Sequence, residues 1–176
     1  LNAAFVDIGD EKEAFIHYLD LGLYFNAFDE FVRRTNTNTN ANDIFSEIQL
    51  GPILEKEGQI DKVLKPGQMV VVQIVKEPIS TKGSRLTAEI SLAGRNIVLL
   101  PFAKKVSISQ KISSKEEKKR LETLVRSILP ANYGAIIRTA AEGKNAAILV
   151  SELKSLISKW ERAWTTLSKS KNVQLL

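Results

Sequence analysis

The chain has 176 residues, 44% apolar and 26% charged, with a formal net charge of +5 and no cysteine. That balance excludes a wholly disordered chain and suffices for one large or two small domains. The missing thiols exclude disulfides, thiolate zinc sites and a cysteine nucleophile, and fit a reducing cytoplasm, while the basic excess favours a polyanionic partner without naming one.

Residues 1–9 (LNAAFVDIG) are rich in β-formers. Turn chemistry at residues 9–12 interrupts them before EAFIH at 13–17 resumes, which reads as a hairpin. A turn centred near Asp10 sets Phe5 opposite Phe15 with both side chains on one face; whether that face is solvent or core stays open. The segment starts at Leu1 rather than Met, inside an apolar stretch, and is expected to be excised from a longer protein. No apolar run reaches the roughly 18 residues of a membrane helix, and the start lacks a basic-then-apolar signal pattern.

In residues 21–34 (LGLYFNAFDEFVRR), Phe25, Phe28 and the Phe31/Val32 pair recur at helical spacing and predict a short amphipathic helix with core aromatics. Residues 35–42 (TNTNTNAN) predict a mobile loop or insertion. After Pro66-Gly67, strands are predicted at 68–76 (QMVVVQIVK), 85–92 (RLTAEISL) and 96–100 (NIVLL). Several short strands with one helix and a polar excursion suit a small five-stranded barrel from which one strand is missing. Ser113 or Ser114, followed three residues later by Glu116 or Glu117, forms a capping box for a helix that Pro130 ends. A strand at 134–140 (GAIIRTA) and a Gly143-Lys144 turn lead to a long helix that keeps Trp160 and Trp164 in its core.

Catalytic chemistry finds little support. The single histidine, His17, ends a strand without a nucleophile motif beside it, and the acidic residues fall mostly on turns and solvated helix faces. A phosphate site has more: Arg138 and Thr139 precede a small-residue loop (AAEGKN) opening a helix, where a guanidinium fork, a hydroxyl and backbone N–H groups could converge on one anion. The same pair could instead form a surface ion pair and a turn cap, since such loops are common. If exposed, Phe5 and Phe15 could stack single-stranded bases while Lys82 neutralises a phosphate.

The segments AAFVDIG, AFIH, KGSRLTAEISLAG, IVLLP, IIRTAAEGK and the closing helix with KWE, in this order, resemble the ribonuclease E/G family over nearly the whole chain apart from the Asn/Thr insertion. The resemblance implies an α+β chain. Residues 1–88 would be an OB-fold barrel of the ribosomal S-one type that clamps single-stranded RNA, lacking its first strand and carrying an insertion near 35–60. Residues 89–176 would be a small α/β sensor for a 5′-monophosphate. RNA contacts then match Phe5, Phe15 and Lys82; the 5′-phosphate matches Arg138 and Thr139, and the terminal base matches Val98. The family's catalytic aspartates and its CxxC-type zinc link would follow Leu176, so magnesium, and zinc with it, would belong to the full-length cytoplasmic endoribonuclease, leaving this segment inactive and without a cofactor. A missing strand predicts disorder near the N-terminus or pairing of an open edge with a second copy.

Two departures stand out. The family's basic pair after its IS step is Gln110-Lys111 here, and Ala141 replaces the glycine of RTAG. Two rival readings are a stand-alone OB-fold RNA-binding or ribosome-associated protein without nuclease activity, and an interaction scaffold with a protein partner.

Overall fold

Gly9, with φ of 85°, turns the chain while its N–H donates to Asp7 Oδ1 (2.9 Å). Ala3–Val6 (β1) consequently folds back on Ala14–His17 (β2), with Phe5 opposite Phe15. The computed structural model describes residues 2–37 and 40–169, which cluster as two units. The first holds the described residues of Leu1–Asn40, Gln49–Ile90 and Thr166–Leu176; the second holds Ala41–Ile48 and Ser91–Thr165.

In the first unit a 3-10 turn, Tyr18–Leu21, leads from β2 towards helix α1, Phe25–Thr35. The predicted aromatic stripe of α1 is buried, as is Thr35, whose hydroxyl donates to the Phe31 and Val32 carbonyls (3.0 Å each). The sheet is completed by Gln73–Lys76 (β3) and Arg85–Thr87 (β4) in the order β1-β2-β4-β3; only the β2–β4 pair is parallel. It is an open four-stranded sheet rather than a closed barrel, with β1 and β3 at its edges. Ala14, Ile16 and Leu86 point into a core shared with Tyr18, Leu21, Phe25 and Ile60, the last on a short helix, α3 (Ile60–Val63). β2 thus alternates, and Phe15 and His17 take the other face.

Several expected bounds change. Strand 68–76 shrinks to β3, and strand 85–92 divides after Thr87. There Asp20 accepts two hydrogen bonds on its carbonyl, from Ala88 N (2.9 Å) and Thr87 Oγ1 (2.8 Å), and takes over the pairing. The expected loop at 35–42 is not a loop throughout. Thr35 closes α1 and Ala41 starts a helix, α2 (Ala41–Glu47), while residues 38–39 lie outside the described residues, as does Leu1.

The second unit carries the sheet β5-β6-β8-β7, built from Leu92–Ala93, Ile97–Pro101, Tyr133–Ile137 and Val106–Ile108 in the order of those labels β5, β6, β8 and β7. β7 was not foreseen, and β8 ends at Ile137 instead of running on to 140 because a 3-10 turn, Thr139–Ala141, begins there. Helix α4, Lys115–Ile128, starts as its capping box predicts: Ser114 Oγ accepts from Glu117 N (3.2 Å). Helix α5 spans Ala146–Leu167 and buries Leu149, Leu153, Leu156, Trp160 and Trp164. Phe45 of α2 packs against Phe102 (ring centroids 5.0 Å) and Tyr133 (4.7 Å). Asn132, with φ of 66°, donates from Nδ2 to the Phe45 and Ile48 carbonyls (2.9 Å each), which would otherwise be left open at the end of α2.

Gly83 decides how close the turn before β4 comes to β2. A Cβ there would stand 2.0 Å from the Glu13 carbonyl oxygen, a backbone atom with no freedom to swing aside. Gly83→Ala is therefore expected to destabilise the first unit by about 1–3 kcal/mol, the usual cost of overpacking. Denaturant unfolding checks it; an unchanged midpoint would show that the backbone separates freely here.

Candidate nucleic-acid interface

The two faces that could meet RNA lie one in each unit. On the outer face of the first sheet, register aligns Phe5 with Phe15, Phe15 with Arg85, and Arg85 with Lys76. Residues aligned across neighbouring strands share a face, so two aromatics and two cations form one row. Phe5 is 71% exposed, and Phe15 is partly exposed with its ring edge-on to His17 (centroids 5.5 Å). The open question between solvent and core is thus answered for Phe5. Arg85 is anchored by Asp20, donating from Nε to Oδ2 (3.0 Å) and from Nη2 to Oδ1 (3.1 Å).

Lys82 sits beside this row. The residue 79–82 turn is closed by reciprocal Ile79 and Lys82 backbone bonds (3.1 and 3.0 Å), and Lys12 Nζ donates to the Ser80 carbonyl. Gly83 abuts Glu13, and Phe15 N donates to Ser84 O (2.9 Å), tying the Lys82 turn to the strand of Phe15. Sequence reasoning missed Arg85, Lys76 and His17 as members of this face. The strand alternation of β2 could have found His17, but the register of Arg85 and Lys76 is set by a parallel pairing and a β-bulge that no local pattern announces.

In the second unit the five-residue ladder of β6 with β8 sets Val98 opposite Ile136, and neighbouring registers add Ala93 and Ser107 to the same row. Val98 is half-buried and Ile136 is 39% exposed, giving a small apolar ledge. Arg138 follows β8 directly. Its N–H donates to Asn96 O (2.8 Å) and its Nη1 to Gly94 O (2.8 Å), so backbone and guanidinium are both held by the β5–β6 turn. The side chain is exposed, and a guanidinium has further donors in its planar fork. Thr139 Oγ1 shares a hydrogen bond with Ser109 Oγ (2.8 Å), which also accepts from Lys111 N (3.3 Å). Arg138 and Thr139 thus follow the strand that carries Ile136 opposite Val98, the guanidinium held on the β5–β6 turn and the hydroxyl on Ser109. Ser109 and Gly94 are members that sequence reasoning missed, since each is recruited by a partner distant in the chain. Phe5, Phe15 and Lys82 belong to the other unit.

Gln110 follows Ser109 in this turn and is exposed. Ala141 has no positive φ, and its methyl is fully buried, so the backbone at this position does not require the glycine that it replaces.

Residues 91–176 match the family model described as the Ribonuclease E/G family. Ribonuclease E of a Nostoc species is 37% identical over 164 residues, 92% of this chain and 20% of the relative. Ribonuclease G of Haemophilus influenzae is 37% identical over 169 residues (96% and 30%), and that of Escherichia coli 36% over 171 (97% and 30%). The chain belongs to the ribonuclease E/G family. It spans only 20% to 30% of the length of these relatives. A solved mutant of the Staphylococcus aureus RNase P protein overlaps 41% of the chain at 17% identity with a TM-score of 0.35, too slight a likeness to bear on the fold.

Within this ribonuclease E/G segment, no described helix is long and apolar enough to cross a membrane. Among the described residues no three His, Cys, Asp or Glu side chains gather closely enough to hold a metal ion.

The loop after Thr139 is fastened from α4. Glu117 Oε1 accepts from Gly143 N (2.8 Å), and Arg120, paired with Glu117 at 2.7 Å, donates from Nη2 to Lys144 O (3.0 Å). The Arg120 guanidinium first, and the Gly143 amide second, pull the Glu117 carboxyl from its ordinary 4.5 to about 2. The folded state thus favours the ionised form: the tether is complete above pH 4.5 and is lost as pH falls towards 2. The Gly143 amide resonance is expected to titrate with a midpoint near 2. A midpoint near 4.5 in that NMR titration would mean that the tether does not form in solution.

Proposed function

We propose that this segment is the RNA-recognition part of a cytoplasmic endoribonuclease, with a clamp for single-stranded RNA in its first unit and a reader of the 5′-monophosphate in its second. The reading is supported by the Arg138 guanidinium, held on Gly94 O, and by the neighbouring Thr139–Ser109 hydroxyl pair, both following the strand that sets Ile136 opposite Val98. A terminal phosphate offers several acceptor oxygens to such a fork and its hydroxyls, while the first base rests on an apolar ledge. A 5′-triphosphate, bulkier and more charged, fits a pocket for one phosphate less well.

The Phe5–Phe15–Arg85–Lys76 row, with Lys82 beside it, supports the clamp: rings stack on bases of any identity, and cations neutralise the backbone. The strand order β1-β2-β4-β3, with helices between β2 and β3, supports an OB-type sheet from which one strand is absent. In the intact family enzyme both contacts would hold RNA over a magnesium-dependent catalytic centre supplied by another part of the protein, and the gain would arise from positioning. The segment itself would not cut RNA.

The exposed aromatic row also favours a second reading, an OB-type RNA-binding protein indifferent to the RNA end. Binding of a short single-stranded RNA bearing a 5′-monophosphate or a 5′-hydroxyl, at two salt concentrations, separates the two. Under the sensor reading the monophosphate binds about tenfold more tightly, the value of one good charge-assisted contact, and Arg138→Ala abolishes that preference while leaving hydroxyl RNA unaffected. Phe5→Ala weakens both RNAs alike, by about 1–3 kcal/mol for one lost stack. Equal affinity of the two RNAs, with steep salt dependence, would establish the clamp alone.

A further inference from the structure

We propose that Glu152 of α5 is a positioning residue for the Arg138 guanidinium, acting through one peptide plane and without touching RNA; its consequence for RNA rests on the sensor reading above. Glu152 Oε1 accepts from the backbone N–H of Arg95 and, at 3.1 Å, from that of Asn96, which Oε2 also accepts at 3.1 Å. Arg138 Nη1 donates to the Gly94 carbonyl (2.8 Å). The Gly94 carbonyl and the Arg95 N–H belong to the same peptide group, which is planar and trans, so they point in opposite directions and turn together. The carboxylate grips one end of that plate and the guanidinium the other.

The consequence is mechanical. Rotating the Gly94–Arg95 peptide about its flanking bonds would release both hydrogen bonds at once. Holding the N–H therefore aims the carbonyl, and the aimed carbonyl fixes one edge of the fork. A charged acceptor on the N–H also polarises the peptide and strengthens what its oxygen accepts. Gly94 permits the approach, because a Cβ at that position would lie 2.4 Å from Glu152 Oε1 and 2.7 Å from Ile97 O. The rest of the frame is backbone: Gly94 N donates to Ile97 O and Arg138 N to Asn96 O, both at 2.8 Å. Neither of these fixes the guanidinium itself.

An open cleft of about 740 Å³, walled by this turn and by Ala147, Ile148, Ser151 and Lys159 of α5, adjoins Glu152. When the carboxylate is removed, water can enter and satisfy the two amides, so the unit keeps its fold while the peptide loses its fixed aim. Glutamine is different from alanine here. Its single carbonyl oxygen, placed where Oε1 sits, can accept from the Arg95 amide and restore the aim without the charge, while Nε2 turns away from the Asn96 N–H that Oε2 accepted.

The test uses the whole 176-residue chain with two readouts. In the free protein, nitrogen-15 NMR of the Arg138 guanidinium should show hindered rotation in the wild type, averaged signals in Glu152→Ala and recovery in Glu152→Gln. With RNA, Glu152→Ala should cut the preference for 5′-monophosphate over 5′-hydroxyl by about three- to tenfold, as expected for loss of one oriented charged donor. Affinity for the hydroxyl RNA should stay constant, and Glu152→Gln should regain most of the preference. Wild-type guanidinium signals in Glu152→Ala, or a glutamine variant no better than alanine in that NMR readout, overturn the proposal. A wild type without any end preference, in which the guanidinium still responds to Glu152, sinks the phosphate reading but leaves the positioning role standing.

Discussion

The pairing of β6 with β8 is the constraint on which the second unit turns. Five consecutive residue pairs, from Ile97 with Ile137 to Pro101 with Tyr133, fix the register, because a slip by one residue would send either Ile97 and Leu99 or Ala135 and Ile137 to the solvent face. The same alternation that buries those four raises Val98 and Ile136 on the other side. The ladder also runs on into Arg138, whose N–H continues the pattern onto Asn96 O. Core packing and the placement of a cation are thus two results of one register.

The first unit solves its problem differently. Its outer row is assembled from three separate pairings, and its parallel step, Phe15 with Arg85, depends on Gly83 letting the chain pass close to Glu13. Aromatics at one end of that row and cations at the other suit a polymer whose bases and phosphates alternate. Arg85 is restrained by Asp20 on a 3-10 turn, which also anchors Thr87 and Ala88. A single acidic residue therefore orders both a surface cation and the end of a strand.

Much of this was legible in the sequence where the signal is local. The β1–β2 hairpin follows from Gly9, the start of α4 from Ser114 and Glu117, and the burial of Trp160 and Trp164 from helical period. Arg138 and Thr139 stood out by residue type and place, and the fold adds what type cannot give, namely Gly94 and Ser109 as their partners. Elements that depend on distant partners were hidden. The valines before β3 promise a strand, but Val70 and Val72 pack on the core outside any ladder. β7 has three residues, too few for alternation to register, and exists because Ala135, Ile136 and Ile137 offer it an edge. Helix α2 carries only Ile44 and Phe45 as buried residues in a polar stretch, and its far end is capped by an asparagine more than eighty positions away.

That asparagine makes the second unit discontinuous in the chain. Residues 91–176, which match the family model, do not contain the whole of the packing they rely on, for Phe45 supplies a ring between Phe102 and Tyr133. The segment that looked like an insertion is, for this core, a component. A boundary drawn where the family model starts would cut through an aromatic cluster and strip Asn132 of both its acceptors. A cut that separated α2 from residues 91–165 would therefore remove part of the second unit's own core.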